Sequence, residues 1–330
     1  MSVSCQGQQE KHLLSSACAA DISYIDICCE LPVIGNNLNN GRSKISMNKK
    51  LEKILALVLV FTLSIGVTIY ALVPGLGYLS FDDLAAAEDP SDYNIKTDDI
   101  GSDTTILGIH GGGIEKGTSE LVEALSGYGK YNTYLFEGLK SAGNGSLFIK
   151  AVNFDEPTAV SLVNKSDYTV SVIGAAGDGE VTYIGGQNKM LAELIRLHLN
   201  ARGYNVQTLS IPNRIAGIMN SNIVNKNKLF DNSYQLGGVQ IAVSKGLRDK
   251  LAADSDVLND YSDTINQALS ESWPTIVDLM DKINNNKSQG LLSMFSSPES
   301  NLEKKVDKAL EKGAKTPDEL IKDFEDVTLN

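Results

Sequence analysis

Between residues 104 and 252 short apolar runs alternate with amphipathic stretches, and this order constrains the fold more than any other feature. Strand-like runs lie at 104–110 (TTILGIH), 131–136, 146–152, 168–174 (YTVSVIG), 204–209 and 236–243. Helical patterns lie at 117–127, 155–165, 187–202 and 244–252. Strands that each hand over to a helix lie side by side in a largely parallel sheet covered by those helices, so an α/β domain is expected. In such sheets ligands meet the chain where strands end and loops enter helices.

The flanks read differently. Residues 253–330 turn helical and polar, with apolar residues at three- and four-residue spacing in NLEKKVDKALEKGAKTPDELIKDFEDV, and a solvated helical appendage is expected. Residues 74–103, with Pro74, Gly75, Gly77, Pro90 and many aspartates, read as a linker. Residues 54–73 carry no charge and follow Lys49, Lys50 and Lys53. As a helix that length crosses about 30 Å of hydrocarbon, with the lysines on the cytosolic side. The stretch 47–73 is therefore expected to be a signal peptide or a transmembrane anchor, with the body outside the cytoplasm, secreted or tethered. Residues 1–46 show no sustained periodicity and read as an extension, disordered or upstream of a start at Met47.

Composition closes several routes to function. All four cysteines, Cys5, Cys18, Cys28 and Cys29, precede the body, so no thiol site or disulfide framework belongs to it. The formal net charge of −12, with no lysine or arginine cluster in the body, argues against nucleic acid as a partner. Histidines are only His12, His110 and His198, which excludes a site built from several imidazoles. His198 falls in a helical pattern whose apolar face is Leu191, Leu194, Ile195 and Leu199, and reads as a helix-surface residue. No phosphate-binding glycine motif and no Gly-x-Ser-x-Gly nucleophile is present.

What remains is LGIHGGGIEKGTSELVEAL, residues 107–125, where an apolar run delivers His110 into three glycines and Glu115 follows before a helix begins. A metal or general-base site and a hydrogen-bonded tight turn are both compatible with it. Together with YLFEGLKSAGNGSLFIKAVNFDEPTAVSLV, YTVSVIGAAGDGEVTYIGGQN and GGVQIAVSKGLR, in that order, this stretch resembles the zinc-dependent poly-γ-glutamate hydrolases of bacilli and their phages. The resemblance implies a three-layer α/β/α fold with a mixed, open sheet similar to that of zinc carboxypeptidases. It also implies zinc at the strand ends, with His110 and Glu115 as two of its ligands. Such a zinc polarises the scissile carbonyl and activates a water.

Other positions depart from the family. The third ligand should be a histidine before a glycine in the YTVSV strand, where this chain has Ile173 before Gly174. The general base should be a glutamate in a GVQLE-like segment, where this chain has Ala242. Phe148 stands where the family carries a further histidine. The Asn-Arg pair expected at a substrate carboxylate is Asn225-Lys226, with Asn222 in the same segment, and lysine lacks the bidentate fork of arginine.

A hydrocarbon holds no cation and moves no proton, so zinc is expected to bind weakly or not at all. The expectation is an extracytoplasmic protein of this fold that is inactive or impaired and acts by binding a glutamyl or peptidic polymer. Two alternatives are an active hydrolase in which Asp178 or Glu180 completes the site, and a surface-interaction protein that uses the fold as a scaffold.

Overall fold

The computed structural model describes residues 77–127, 130–228, 236–287 and 298–329. The expectations for residues 1–46 and 47–73 lie outside them. Among the described residues no helix is long and apolar enough to cross a membrane.

Among the described residues seven strands form one sheet: β1 (Tyr93–Asp98), β2 (Thr104–Gly112), β3 (Asn132–Gly138), β4 (Tyr168–Ala175), β5 (Thr182–Gly186), β6 (Val206–Gln207) and β7 (Val239–Ser244). Their spatial order is β1-β3-β2-β4-β7-β5-β6. The pairings β3–β2, β2–β4, β4–β7 and β5–β6 are parallel, while β1–β3 and β7–β5 are antiparallel. The sheet is thus mixed and mostly parallel, as the alternation of elements requires.

The helices are α1 (Phe81–Ala87), α2 (Thr118–Ser126), α3 (Pro157–Lys165), α4 (Lys189–Ala201), α5 (Lys245–Ala253), α6 (Ser255–Gln267), α7 (Trp273–Lys287), α8 (Pro298–Glu311) and α9 (Pro317–Leu329). Their starts are written in side-chain chemistry. Asn188 accepts from Leu191 N–H at the head of α4, Ser244 caps α5, and Glu156 with Pro157 opens α3.

Two cores result. Val239, Ile241 and Val243 of β7 join α2, α4, α5 and α6 through Leu121, Leu194, Leu247 and Ile265. Ala242 instead joins Leu107, Ile109, Phe136, Ile173, Leu84 of α1 and Leu162 of α3. Alternate residues of one strand therefore feed different clusters, as a sheet covered on both faces demands.

Three expectations change. The segment 146–152 is not a strand; it is a 3-10 turn at Asn144–Leu147 followed by a single bridge from Ile149 to Tyr78. The stretch 74–103 is not a bare linker. It holds α1, capped by Ser80, and β1, which pairs with β3 from Tyr93↔Gly138 to Asp98↔Thr133 and forms an edge. β5 is absent from the strand-like runs, because a short strand ending in Gly185-Gly186 carries too little apolar pattern to stand out.

The region 253–330 is helical as its spacing indicates, but it is no solvated appendage. Ile265, Trp273, Ile276, Val306, Ala309, Leu320 and Phe324 are buried in the same core as Leu194 and Ile195. Their apolar spacing is the stripe that seats these helices on α4 and the sheet-covering layer.

Candidate functional site

β2, β4 and β7 run parallel and end on the same side, so their C-terminal ends gather His110, Ile173-Gly174 and Ala242–Ser244. The register of β2 against β3 shifts between Gly108 and Gly111, an irregularity that re-aims the residues after it. Gly112 takes φ 60°, and a Cβ there would fall 2.5 Å from the carbonyl oxygen of Gly138, so only glycine completes the turn. The turn closes with Glu115 N–H donating to His110 O (3.0 Å) and Thr118 Oγ1 donating to His110 O (3.0 Å) and Glu115 O (2.8 Å).

That turn brings the two polar side chains together. His110 is 2% exposed, and its Nδ1 lies 3.1 Å from Glu115 Oε2. Its Nε2 lies 2.7 Å from the carbonyl oxygen of Ile149. A carbonyl only accepts, so Nε2 carries a proton, and Nδ1 faces the carboxylate. Two lone pairs facing each other hold only with a proton or a cation between them. Glu115 Oε2 also accepts from the N–H of Gly174. A side chain at 174 would displace these groups, since a Cβ would fall 2.9 Å from Glu115 Cδ and 3.0 Å from Arg248 Cζ and Nη2.

The pair alone suits a metal. Ligands about 2.0–2.2 Å from one tetrahedral zinc stand roughly 3.3–3.5 Å apart, close to the separation here, and the Ile149 carbonyl orients the imidazole as an outer-shell acceptor does. A catalytic zinc needs a third protein ligand, and here the fit fails. Ile173 lines the same cavity as His110 and Glu115, and Ala242 is its direct partner in the β4–β7 register. Among the described residues no group of three His, Cys, Asp or Glu side chains stands together as a metal set. Phe148, too, lies against the imidazole, stacked at 4.2 Å between ring centroids and 27° between planes.

The cavity over this floor has a volume of about 710 Å³. Its walls carry Lys150, Arg214, Lys245 and Arg248, and Glu115 is the one carboxylate among the described lining residues. The chain's formal charge of −12 is therefore inverted locally, which favours an anionic ligand. Arg248 is fixed by donating to Val243 O (3.1 Å) and to Lys116 O. Lys245 pairs with Asp249.

The residues expected to meet a substrate carboxylate separate. Asn222 lies on the cavity wall and donates to Gln240 Oε1 at 2.9 Å. Asn225 is fully buried and donates to the carbonyls of Gly217 (2.7 Å) and Met219 (2.9 Å), holding the rim from behind. Lys226 follows it and is not among the lining residues. Asp178 and Glu180 do not line the cavity, and Glu180 pairs with Lys250 at 2.7 Å. His198 faces the C-terminal helices, 2.8 Å from Ser272 Oγ, and burial lowers its pKa.

Sequence reading missed the four cations. Lys245 and Arg248 follow the end of a parallel strand, a signal that was present in GGVQIAVSKGLR. Arg214 sits in the patternless stretch 208–222, which offers no such clue.

Comparison with known proteins agrees with this geometry. The chain is 37% identical over 202 residues to the UPF0714 protein YndL of Bacillus subtilis (strain 168), covering 61% of this chain and 75% of that protein. It is 43% identical over 150 residues to the SPbeta prophage-derived UPF0714 protein YoqZ of the same strain, covering 46% and 54%. Among solved structures, a zinc-free apo form of YndL superposes with a TM-score of 0.55 at 34% identity, covering 59% of this chain and 98% of that one. A bacteriophage poly-γ-glutamate hydrolase superposes with a TM-score of 0.55 at 29% identity, covering 60% and 98%. The poly-γ-glutamate hydrolase family model matches residues 78–271, so the related region extends beyond 104–252 to take in α1, β1 and α6. This chain belongs to the poly-γ-glutamate hydrolase family.

Proposed function

We propose that this protein binds a γ-glutamyl polymer or peptide outside the cytoplasm, with the zinc-dependent hydrolysis of its relatives lost or severely reduced. One observation carries the reading: the hydrocarbon of Ile173 lies in the cavity wall shared with His110 and Glu115, and Ala242 pairs beside it. A family metal, for which the zinc-free form of YndL makes zinc the candidate, would find two donors here instead of three. The chain's own side chains then do the following. Lys150, Arg214, Lys245 and Arg248 attract and hold carboxylates. Glu115 is already engaged by His110 and by the N–H of Gly174. The uncharged run 54–73 supports the location, as an anchor or as a cleaved signal.

The test uses the full-length protein beside the double substitution Ile173→His with Ala242→Glu. Calorimetric titration with zinc and digestion of poly-γ-glutamate are measured on both. Weak or absent zinc uptake and no cleavage by the natural chain are expected, with gains in both for the double substitution. Stoichiometric zinc and metal-dependent cleavage by the natural chain, abolished by His110→Ala, would refute the proposal.

A further inference from the structure

The cavity is not lined as a receptor for a uniform polyanion would be. Phe148 and Ile173 form hydrocarbon floor beside His110, and Ile215, Ile218 and Met219 continue it up one wall. Ile218 and Met219 are 57% and 59% exposed, an uncommon state for two adjacent large apolar side chains. They are not loose. Gln187 Nε2 donates to Ile218 O (2.9 Å), Asn225 Nδ2 to Met219 O (2.9 Å), and Gln240 Nε2 to Ile215 O (2.8 Å). Three amides thus tie the backbone of 215–219 from below and keep its apolar side chains turned to the opening. A rim ordered before the ligand arrives spares the ligand the cost of ordering it.

Arg214 belongs to the same wall, is exposed, and has no ion-pair partner among the described residues. A planar guanidinium grips a carboxylate in two-pronged fashion, and the side chain next to that carboxylate would then lie on Ile218 and Met219. Poly-γ-glutamate offers a carboxylate at every repeat and no apolar side group to fill such a wall. We propose that the cavity takes a short γ-glutamyl peptide whose free carboxylate, on Arg214, adjoins an aliphatic or aromatic side chain received by Ile218, Met219 and Ile173. This rests on the cavity being a γ-glutamyl-binding site, and it specifies which γ-glutamyl compounds bind there.

The probes are γ-glutamyl-leucine and γ-glutamyl-glutamate, titrated into the full-length protein by calorimetry. Roughly tenfold tighter binding of the leucine compound is expected, which is what burying most of a leucine side chain supplies. Ile218→Ser with Met219→Ser alters exposed side chains and should erase that preference, while Arg214→Gln should weaken both ligands. Equal or tighter binding of γ-glutamyl-glutamate, or a preference that survives the double serine substitution, would overturn the apolar specificity and leave the γ-glutamyl site standing. No binding of either compound or of oligo-γ-glutamate would remove both.

Discussion

Replacing Asn225 by alanine separates a ligand contact from a structural strut. Its side chain donates to Gly217 O at 2.7 Å and Met219 O at 2.9 Å, and accepts from Gly238 N–H at 3.1 Å. Gly217 and Gly238 are buried, so Asn225→Ala leaves a carbonyl and an N–H without partners and without water. Each such group costs about 1–3 kcal/mol. The Met219 carbonyl belongs to an exposed residue and recovers a water, adding little. A loss of about 3–4 kcal/mol is expected, read as a lower urea midpoint in circular dichroism or in the fluorescence of Trp273, the sole tryptophan. Asn225→Asp restores the acceptor for Gly238 but sets a carboxylate against two carbonyl oxygens, and should cost at least as much. A loss below about 1 kcal/mol, accompanied by a large drop in ligand affinity, would return Asn225 to the substrate-binding role that its sequence motif suggests.

Other outcomes follow from the same structure. Phe324→Ala should cost about 3–5 kcal/mol, because the ring is fully buried in the core shared with α4; an unchanged denaturation midpoint would mean that α9 is dispensable to the body. His198 is held below its ordinary pKa by burial, against the opposing pull of Glu271 and Asp318. Its contribution is therefore complete above the ordinary histidine range and fades as pH falls through the lowered value. The natural chain should lose more stability between pH 8 and pH 5 than His198→Gln does, as compared by urea midpoints at the two values.

Much of the frame was legible from pattern. β2, β4 and β7 are strongly apolar strands, and α2, α3, α4 and α5 begin within two residues of where their periodicity and caps place them. The pairing of His110 with Glu115 was readable from the glycine hinge, because few backbones other than a turn at a strand end use three glycines in that way. What escaped lacked local signal. β1 is an edge strand held by its ladder to β3, and its polar residues hide it. The docking of α6–α9 is decided by what those apolar stripes meet, which spacing alone does not name. The cationic wall assembles Lys150, Arg214, Lys245 and Arg248 from three distant segments, so no window of sequence contains it. The asparagine motif misled for a related reason: Asn225 turned inward to bind backbone, a choice between two uses of the same amide that only packing resolves.

The carbonyl of Ile149 that steadies the far nitrogen of the imidazole has one more consequence. It keeps the aim of His110 independent of whether anything is coordinated, and so holds the imidazole beside Glu115. On the function proposed above, recovering the chemistry would start at Ile173 and Ala242, which pair on adjoining strands, with the hinge and the opening already in place. A scaffold whose histidine had swung away would need that side chain re-aimed as well.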